Sequence, residues 1–129
     1  MRKFALNKLV RDKIFVEMVE LGQQPSHKVL TKKEFLIALK AKLLEEAKEF
    51  DPNDPHALKE LADILEVIET AAQELGTDFE KLRELQMTTR KKRGAFDDKI
   101  YIKDLTLQDD DQWVDYYASE PERFPEVKV

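Results

Sequence analysis

Apolar side chains recur every three or four positions over most of the chain, which is the spacing that places them on one face of a helix. Residues that favour helix ends divide this pattern into four segments. The first predicted helix covers residues 8–21, and the second begins after Thr31 and ends at about Phe50. The third runs from Pro55 to about Leu75, and the fourth begins after Thr77 and ends before Gly94.

The predicted helix boundaries depend on capping residues. Asn7 is the predicted N-cap of the first helix, and Asp54, followed by Pro55, is that of the third. Two capping boxes, in which Thr is followed three positions later by Glu, open the second and fourth helices at Thr31–Glu34 and Thr77–Glu80. Glycine adopts the left-handed conformation that ends many helices, so the first, third and fourth helices are predicted to stop at Gly22, Gly76 and Gly94.

The rest of the chain has weaker patterns. Lys99–Lys103 alternates apolar and polar residues, which predicts a short strand that could pair with an extended piece at residues 27–30. Residues 104–129 are predicted to be irregular, although four aromatic side chains give them something to bury. The predicted fold is therefore mainly α: one domain over residues 1–129, a four-helix bundle with a minor β-pairing and an irregular acidic C-terminal tail.

Composition narrows the functional classes. The chain has no cysteine, which excludes disulfides and thiolate metal sites and favours a cytoplasmic location. No apolar run approaches the roughly 20 residues of a membrane span. The net charge is −5, of which residues 104–129 carry −6 and the remaining chain +1. Because the body of the chain is nearly neutral, we expect no nucleic-acid polymer as a partner. Because no apolar run is long enough to span a membrane, we expect no membrane as a partner either.

Carboxylates lie beside the apolar faces of the second and third predicted helices. On a helical wheel, Glu46 falls within the apolar arc of the second helix, and Glu49 and Lys42 fall beside it. On the third helix, Glu60 falls within an arc that includes Leu61 and Val67, and Asp63 falls at its edge. The members of the two apolar arcs are Phe35, Leu39, Leu43, Ala47 and Phe50, and Ala57, Leu61, Ile64, Val67, Ile68, Ala71 and Leu75.

Two facing helices would then each direct an acid-x-x-acid pair toward the core. Ionised carboxylates are costly to bury without a compensating positive charge. Ligand sets made only of oxygen suit Mg²⁺ or Mn²⁺ and not Zn²⁺. The pattern therefore predicts a metal site at Glu46, Glu49, Glu60 and Asp63, and the alternative is a solvated face whose acids pair with lysines.

Several basic residues could bind the phosphates of a metal-bound substrate. Lys42 lies one turn before Glu46, and Arg90 and Arg93 lie on the inward face of the fourth helix. The basic run at that helix end could instead only offset the helix dipole. Arg11 and Lys13 could reach the same phosphates or form surface ion pairs.

Four segments resemble motifs of one protein family. The family is that of MazG-like, phosphoribosyl-ATP pyrophosphohydrolase-like proteins. Its opening resembles Asn7–Ile14, and its Glu-Glu-x-x-Glu motif resembles Lys42–Phe50. Its Glu-x-x-Asp motif resembles Glu60–Asp63, and its Lys-Arg-Gly-Gly-Phe ending resembles Lys92–Phe96. The resemblance covers residues 7–103. Two features depart from it: only ten residues separate Glu49 from Glu60, and Ala95 replaces a common Gly.

The resemblance implies an all-α NTP pyrophosphatase fold that assembles as homodimers, tetramers or other oligomers. It also implies that Mg²⁺, bound by the four acids named above, assists cleavage of a nucleoside triphosphate-like substrate between the α- and β-phosphates. Glu45 or Glu49 would accept a proton, and Lys42 and Arg93 would stabilise the charge of the leaving pyrophosphate.

Two other functions remain open from the sequence. One is hydrolysis of phosphoribosyl-ATP, which would use the same site. The other is a non-catalytic helical interaction module that keeps the fold and binds a basic partner through its acidic tail. His27 and His56 are each isolated from a nucleophile or a second ligand, so we expect them to be structural.

Overall fold

A computed structural model describes all 129 residues and contains five helices and no strand. The prediction of a mainly α protein is confirmed. In chain order the helices are α1 (Asp12–Glu20), α2 (Lys32–Glu49), α3 (Ala57–Glu74), α4 (Phe79–Arg93) and α5 (Val114–Ala118). None of them is both long and apolar enough to cross a lipid bilayer.

The chain divides into two compact units, residues 1–93 and residues 94–129, and the boundary falls at the glycine that follows α4. The first unit contains α1 to α4 and all the predicted site residues. The second contains α5. The prediction that residues 1–129 form one domain stays a prediction.

The first unit is organised around one helix pair. Helix α2 packs against α3, α3 makes a smaller contact with α4, and α1 packs on none of the other helices. The buried side chains are Leu39 of α2 and Val67 and Ala72 of α3, and each keeps a small exposed fraction. Helix α1 instead places the ring of Phe15 against that of His27, with the ring centroids 4.4 Å apart. The observed packing is therefore a helical hairpin with weakly attached neighbours, and the four-helix bundle stays a prediction.

Two predicted helix boundaries, the start of α2 and the end of α3, are confirmed. At the start of α2 the Thr31 hydroxyl accepts a hydrogen bond from the Glu34 N–H at 3.3 Å, and the Thr31 N–H donates to the Glu34 carboxylate at 3.1 Å. Helix α3 ends before Gly76, whose φ of +83° is a conformation that a residue with a Cβ rarely adopts.

Three predicted helix starts are wrong. Helix α1 begins at Asp12 rather than at residue 8, and Lys8 and Arg11 of the preceding segment bind distant acids described below. Helix α3 begins at Ala57, since the Asp54 carboxylate accepts from the His56 N–H at 2.7 Å and stabilises the preceding turn. In α4 the first-turn acceptor is Asp78, which binds the Lys81 N–H at 2.9 Å, and not Thr77.

The predicted pairing of residues 27–30 with residues 99–103 is also wrong, because neither segment forms a strand. Two short strands without a covering layer are marginal in water. Ile100, Tyr101 and Ile102 are all exposed, so this segment has no buried face to stabilise an extended ladder.

The second unit contains an aromatic cluster. Tyr116 and Tyr117 of α5 each contact Phe124, with ring centroids 5.9 and 5.0 Å apart, and Trp113 packs edge-on against Tyr116 at 5.7 Å. The guanidinium carbon of Arg123 lies 4.8 Å from the centre of the Phe124 ring. The tail that the sequence predicts to be irregular thus contains a five-residue helix, which carries two of the cluster's rings.

Candidate functional site

The C-terminal half of α2 carries a cluster of alternating charges. The Lys42 ammonium lies 3.3 Å from a carboxylate oxygen of Glu45 and 3.3 Å from one of Glu46. The three residues meet because side chains three and four positions apart are neighbours on a helix. The side chains of Lys42 and Glu46 are 18% and 13% exposed, which agrees with the predicted place of Glu46 within the apolar arc.

A second cation reaches this cluster from the N-terminal segment. The Lys8 ammonium lies 3.2 Å from the same oxygen of Glu45 that Lys42 contacts. Glu45 therefore sits between two ammonium groups that come from distant parts of the sequence. The contact is only partly shielded from water, because the Lys8 side chain is 43% exposed and that of Glu45 is 28% exposed.

These ion pairs set the protonation of Lys42 and Glu45. Burial is the largest single effect on Lys42 and favours its neutral form, but the hydrogen bonds and charges of Glu45 and Glu46 outweigh it and raise the pKa of Lys42. Burial is likewise the largest single effect on Glu45, yet Lys8 and Lys42 together lower the pKa of its carboxyl group. Both groups are therefore held in their charged forms.

The acids of α3 have partners of a different kind. Arg11 donates to one oxygen of Asp63 at 3.0 Å, and Lys59 lies 3.1 Å from the other, so both oxygens of this carboxylate face a cation. Glu60 accepts a hydrogen bond from the backbone N–H of Asp51 at 3.2 Å. Since Asp51 follows the end of α2 by two residues, this bond holds the first acid of α3 at the end of α2 that carries the Glu46/Glu49 pair.

The N-terminal segment joins the two helices electrostatically. Lys8 binds an acid of α2, and three residues later Arg11 binds an acid of α3. Asn7 precedes this segment with a φ of +47°, a left-handed conformation that Asn tolerates better than most residues. Residues 8–11 are therefore not helical, and two of them, Lys8 and Arg11, make long-range ion pairs.

Other predicted site residues have no protein partner. Glu49, in the last turn of α2, is exposed and forms no ion pair or side-chain hydrogen bond. Lys13, Arg90 and Arg93 are exposed and form no ion pair either. The structure thus joins Lys42 with Glu46 and Arg11 with Asp63, and it leaves these four side chains free.

No protein-family model, curated protein or solved structure matches this chain. The resemblance of its four motifs to the MazG-like family stays a prediction.

The donor chemistry of the acids fits a hard divalent cation, although they do not converge on one point. No group of three or more His, Cys, Asp or Glu side chains is arranged to hold a metal ion. The available donors are nevertheless carboxylate oxygens only, the type that Mg²⁺ and Mn²⁺ prefer. Two of the four acids, Glu46 and Asp63, already bind cationic side chains, which occupy the places where positive charge is favourable.

Sequence reasoning missed two cations of this region. Lys59 precedes Asp63 by four residues on α3, a spacing that favours an ion pair on any helix surface and could have been recognised. Lys8 belongs to a motif that the sequence singles out, but its partner is 37 residues away, and no local signal points to it.

The structure also contains a shallow depression on α4, lined by Phe79, Glu80, Arg83, Glu84 and Met87. None of the predicted site residues lines it. Because one helix supplies all of its walls and it is open to solvent, it offers no enclosed place for a reaction, and we place the candidate site at the acids of α2 and α3.

Proposed function

We propose that the chain hydrolyses a nucleoside triphosphate-like substrate to a monophosphate and pyrophosphate, with Mg²⁺ held by Glu46, Glu49, Glu60 and Asp63. The observation that carries the proposal is the hydrogen bond from the Asp51 N–H to Glu60, which brings the acid pair of α3 to the end of α2 that carries the other pair. The proposal includes the all-α pyrophosphatase fold, in which further helices complete a bundle around this hairpin.

Each carboxylate would have a different role. Bound Mg²⁺ would neutralise substrate phosphates and favour attack by water. Glu45 is a poor proton acceptor, since Lys8 and Lys42 bind its carboxylate and lower its pKa. Glu49 has no cationic partner within the protein, and an oxygen of its carboxylate that Mg²⁺ leaves uncoordinated is the better candidate for the general base.

The basic residues would bind the polyphosphate. Lys42 is the best placed, since it already lies beside two acids of the site and its raised pKa keeps it charged. Arg11 would contribute after it leaves Asp63. Lys13, Arg90 and Arg93 have no protein partner to give up, so phosphate binding would cost them no ion pair.

The test is a screen of nucleoside triphosphates with Mg²⁺, in which both products are separated and identified. We expect pyrophosphate and monophosphate, and no turnover with a chelator. Glu46→Gln should lose most activity. Glu66→Gln is the matched control, because Glu66 is an exposed acid of α3 without an ion pair. Release of orthophosphate without pyrophosphate, or equal activity of the two variants, would contradict the proposal.

One observation favours a second candidate. Cationic side chains bind both Glu46 and Asp63, as they would in a helical interaction module that performs no reaction. Such a module would show no turnover in the screen and no saturable Mg²⁺ binding by calorimetry. Phosphoribosyl-ATP belongs among the substrates tested, since its hydrolysis would use the same acids and release the same pyrophosphate.

A further inference from the structure

Lys8 is a cation of the candidate site to which the proposed reaction assigns no role. Its ammonium group lies 3.2 Å from an oxygen of Glu45, and the Lys42 ammonium lies 3.3 Å from the same oxygen. Helix spacing explains why Lys42 and Glu45 meet, because they are three residues apart on α2. It does not explain Lys8, which is 37 residues from Glu45 in a segment that is not helical. The fold therefore adds a second ammonium group to a carboxylate that already has one.

The charges of this cluster balance when no metal is bound. The two lysines carry two positive charges, and Glu45 and Glu46 carry two negative charges, so the four groups are neutral together. If Glu46 binds a metal ion instead of Lys42, the remaining three groups have a net charge of one positive unit. Without Lys8, the remaining pair of Lys42 and Glu45 would be neutral. It would then have no positive charge to offer to a phosphate.

The hydrogen-bonding capacity of the groups agrees with this balance. An ammonium group has three N–H donors, and a carboxylate oxygen can accept from more than one donor. Lys42 can therefore give a donor to a phosphate oxygen only by loosening its contacts with Glu45 or Glu46. When Lys42 moves, Lys8 remains at Glu45 and keeps this partly buried carboxylate paired, whereas an unpaired carboxylate would be costly and would repel the substrate.

We propose that Lys8 is a positioning residue that compensates the charge of Glu45 and so frees Lys42 to bind a phosphate group of the substrate, an inference that rests on the proposed function. Lys8 acts through Glu45 and does not contact the substrate. Glu45 in turn holds Lys42 in place until the phosphate arrives. Lys8 differs in this respect from Arg11, which would leave its carboxylate, because Glu45 is not one of the four proposed metal ligands and no metal displaces Lys8 from it.

The test compares Lys8→Gln and Lys8→Arg with the matched control Lys3→Gln. Lys3 is an exposed residue of the same N-terminal segment and forms no ion pair. Calorimetric titration with inorganic pyrophosphate in the presence of Mg²⁺ measures phosphate binding without turnover. Lys8→Gln should weaken this binding about fivefold, which corresponds to about 1 kcal/mol. Lys8→Arg keeps the positive charge and should stay within about twofold of the wild type, as should the control.

Steady-state kinetics with the triphosphate that the screen identifies provide a second measurement. Lys8→Gln should raise KM about fivefold with little change in kcat, because Lys8 affects the binding of phosphate and not the attack by water. Thermal melts should show that the variant is folded, since an exposed ion pair contributes little to stability.

Replacement of Glu45 distinguishes positioning from direct contact. In a Glu45→Gln background Lys42 has no Glu45 charge to be freed from, so Lys8→Gln should change pyrophosphate affinity by less than about twofold. The same fivefold loss in both backgrounds would show that Lys8 contacts the phosphate itself and would overturn the proposal. Equal pyrophosphate affinity of Lys8→Gln and Lys3→Gln, or no pyrophosphate binding by the wild type, would overturn it as well.

The two measurements separate the role of Lys8 from the proposed reaction. A wild type that binds pyrophosphate but releases none from any triphosphate would contradict the proposed function, while the affinities of the variants would still decide whether Lys8 assists phosphate binding. A wild type that hydrolyses a triphosphate, together with a Lys8→Gln variant of unchanged KM and affinity, would leave the proposed function intact and refute the role of Lys8.

Discussion

Replacement of Arg11 by Gln tests how the candidate metal site is held before a metal binds. The Arg11 guanidinium lies 3.0 Å from Asp63, one of the four proposed ligands. If the same carboxylate is to bind Mg²⁺, arginine and metal compete for it. Arg11→Gln should therefore lower the stability of the metal-free protein slightly and tighten Mg²⁺ binding.

The expected magnitudes are small because water screens the pair. The Arg11 side chain is 58% exposed and that of Asp63 is 25% exposed, and exposed ion pairs contribute about 0–1 kcal/mol to stability. A loss of about 1 kcal/mol would lower the melting temperature of a chain of this length by about 4 °C. If Arg11 no longer competes with Mg²⁺ for Asp63, the same free energy of about 1 kcal/mol corresponds to about fivefold tighter Mg²⁺ binding. Lys59 continues to bind the other oxygen of Asp63, which limits the gain.

The assay combines calorimetric titration with Mg²⁺ and thermal melts in chelator. Lys13→Gln is the control. It also removes one positive charge, only two residues from Arg11, but the Lys13 side chain forms no ion pair. Arg11→Gln should differ from this control in both measurements. Weaker Mg²⁺ binding by Arg11→Gln would show that arginine and metal do not compete for Asp63. Equal Mg²⁺ binding by the two variants would show that only the loss of a positive charge matters.

Three further predictions concern single side chains. Glu60→Gln keeps an oxygen that can accept a hydrogen bond from the Asp51 N–H, so without metal its melting temperature should equal or exceed that of the wild type, whereas Mg²⁺ should raise it less and most activity should be lost. A variant that is less stable yet fully active would exclude a metal role for Glu60. The Lys28 hydrogen bond is the largest of the effects that lower the pKa of Glu34 from 4.5 to about 2, so ionised Glu34 stabilises the fold above pH 4.5 and this stabilisation is lost as the pH falls toward 2. The difference in melting temperature between wild type and Glu34→Gln should therefore shrink over this range, and a constant difference would contradict the prediction. Phe124→Ala removes the ring that both tyrosines of α5 contact, so the near-ultraviolet circular dichroism should weaken and the emission of the single tryptophan should shift; unchanged spectra would show that the cluster is not formed.

The sequence by itself determined features that depend on neighbours within one turn of helix. The Thr31–Glu34 capping box and the helix end at Gly76 are formed as predicted, because each requires only a few consecutive residues and one backbone conformation. Helical periodicity also places Glu46 within the apolar arc of α2, and its side chain is 13% exposed. The pairing of Lys42 with Glu46 likewise follows from their spacing of four residues.

Only the tertiary structure decided which of several locally possible arrangements forms. Residues 8–11 have a helical pattern, yet Lys8 and Arg11 bind acids 37 and 52 residues away, and their segment leaves the helix. On α3, periodicity places Leu61 and Val67 in one apolar arc, but Val67 is buried and Leu61 is 46% exposed, so the prediction for Leu61 is wrong. In both cases the choice rests on contacts between residues far apart in the chain, and a local pattern contains no information about its distant partner.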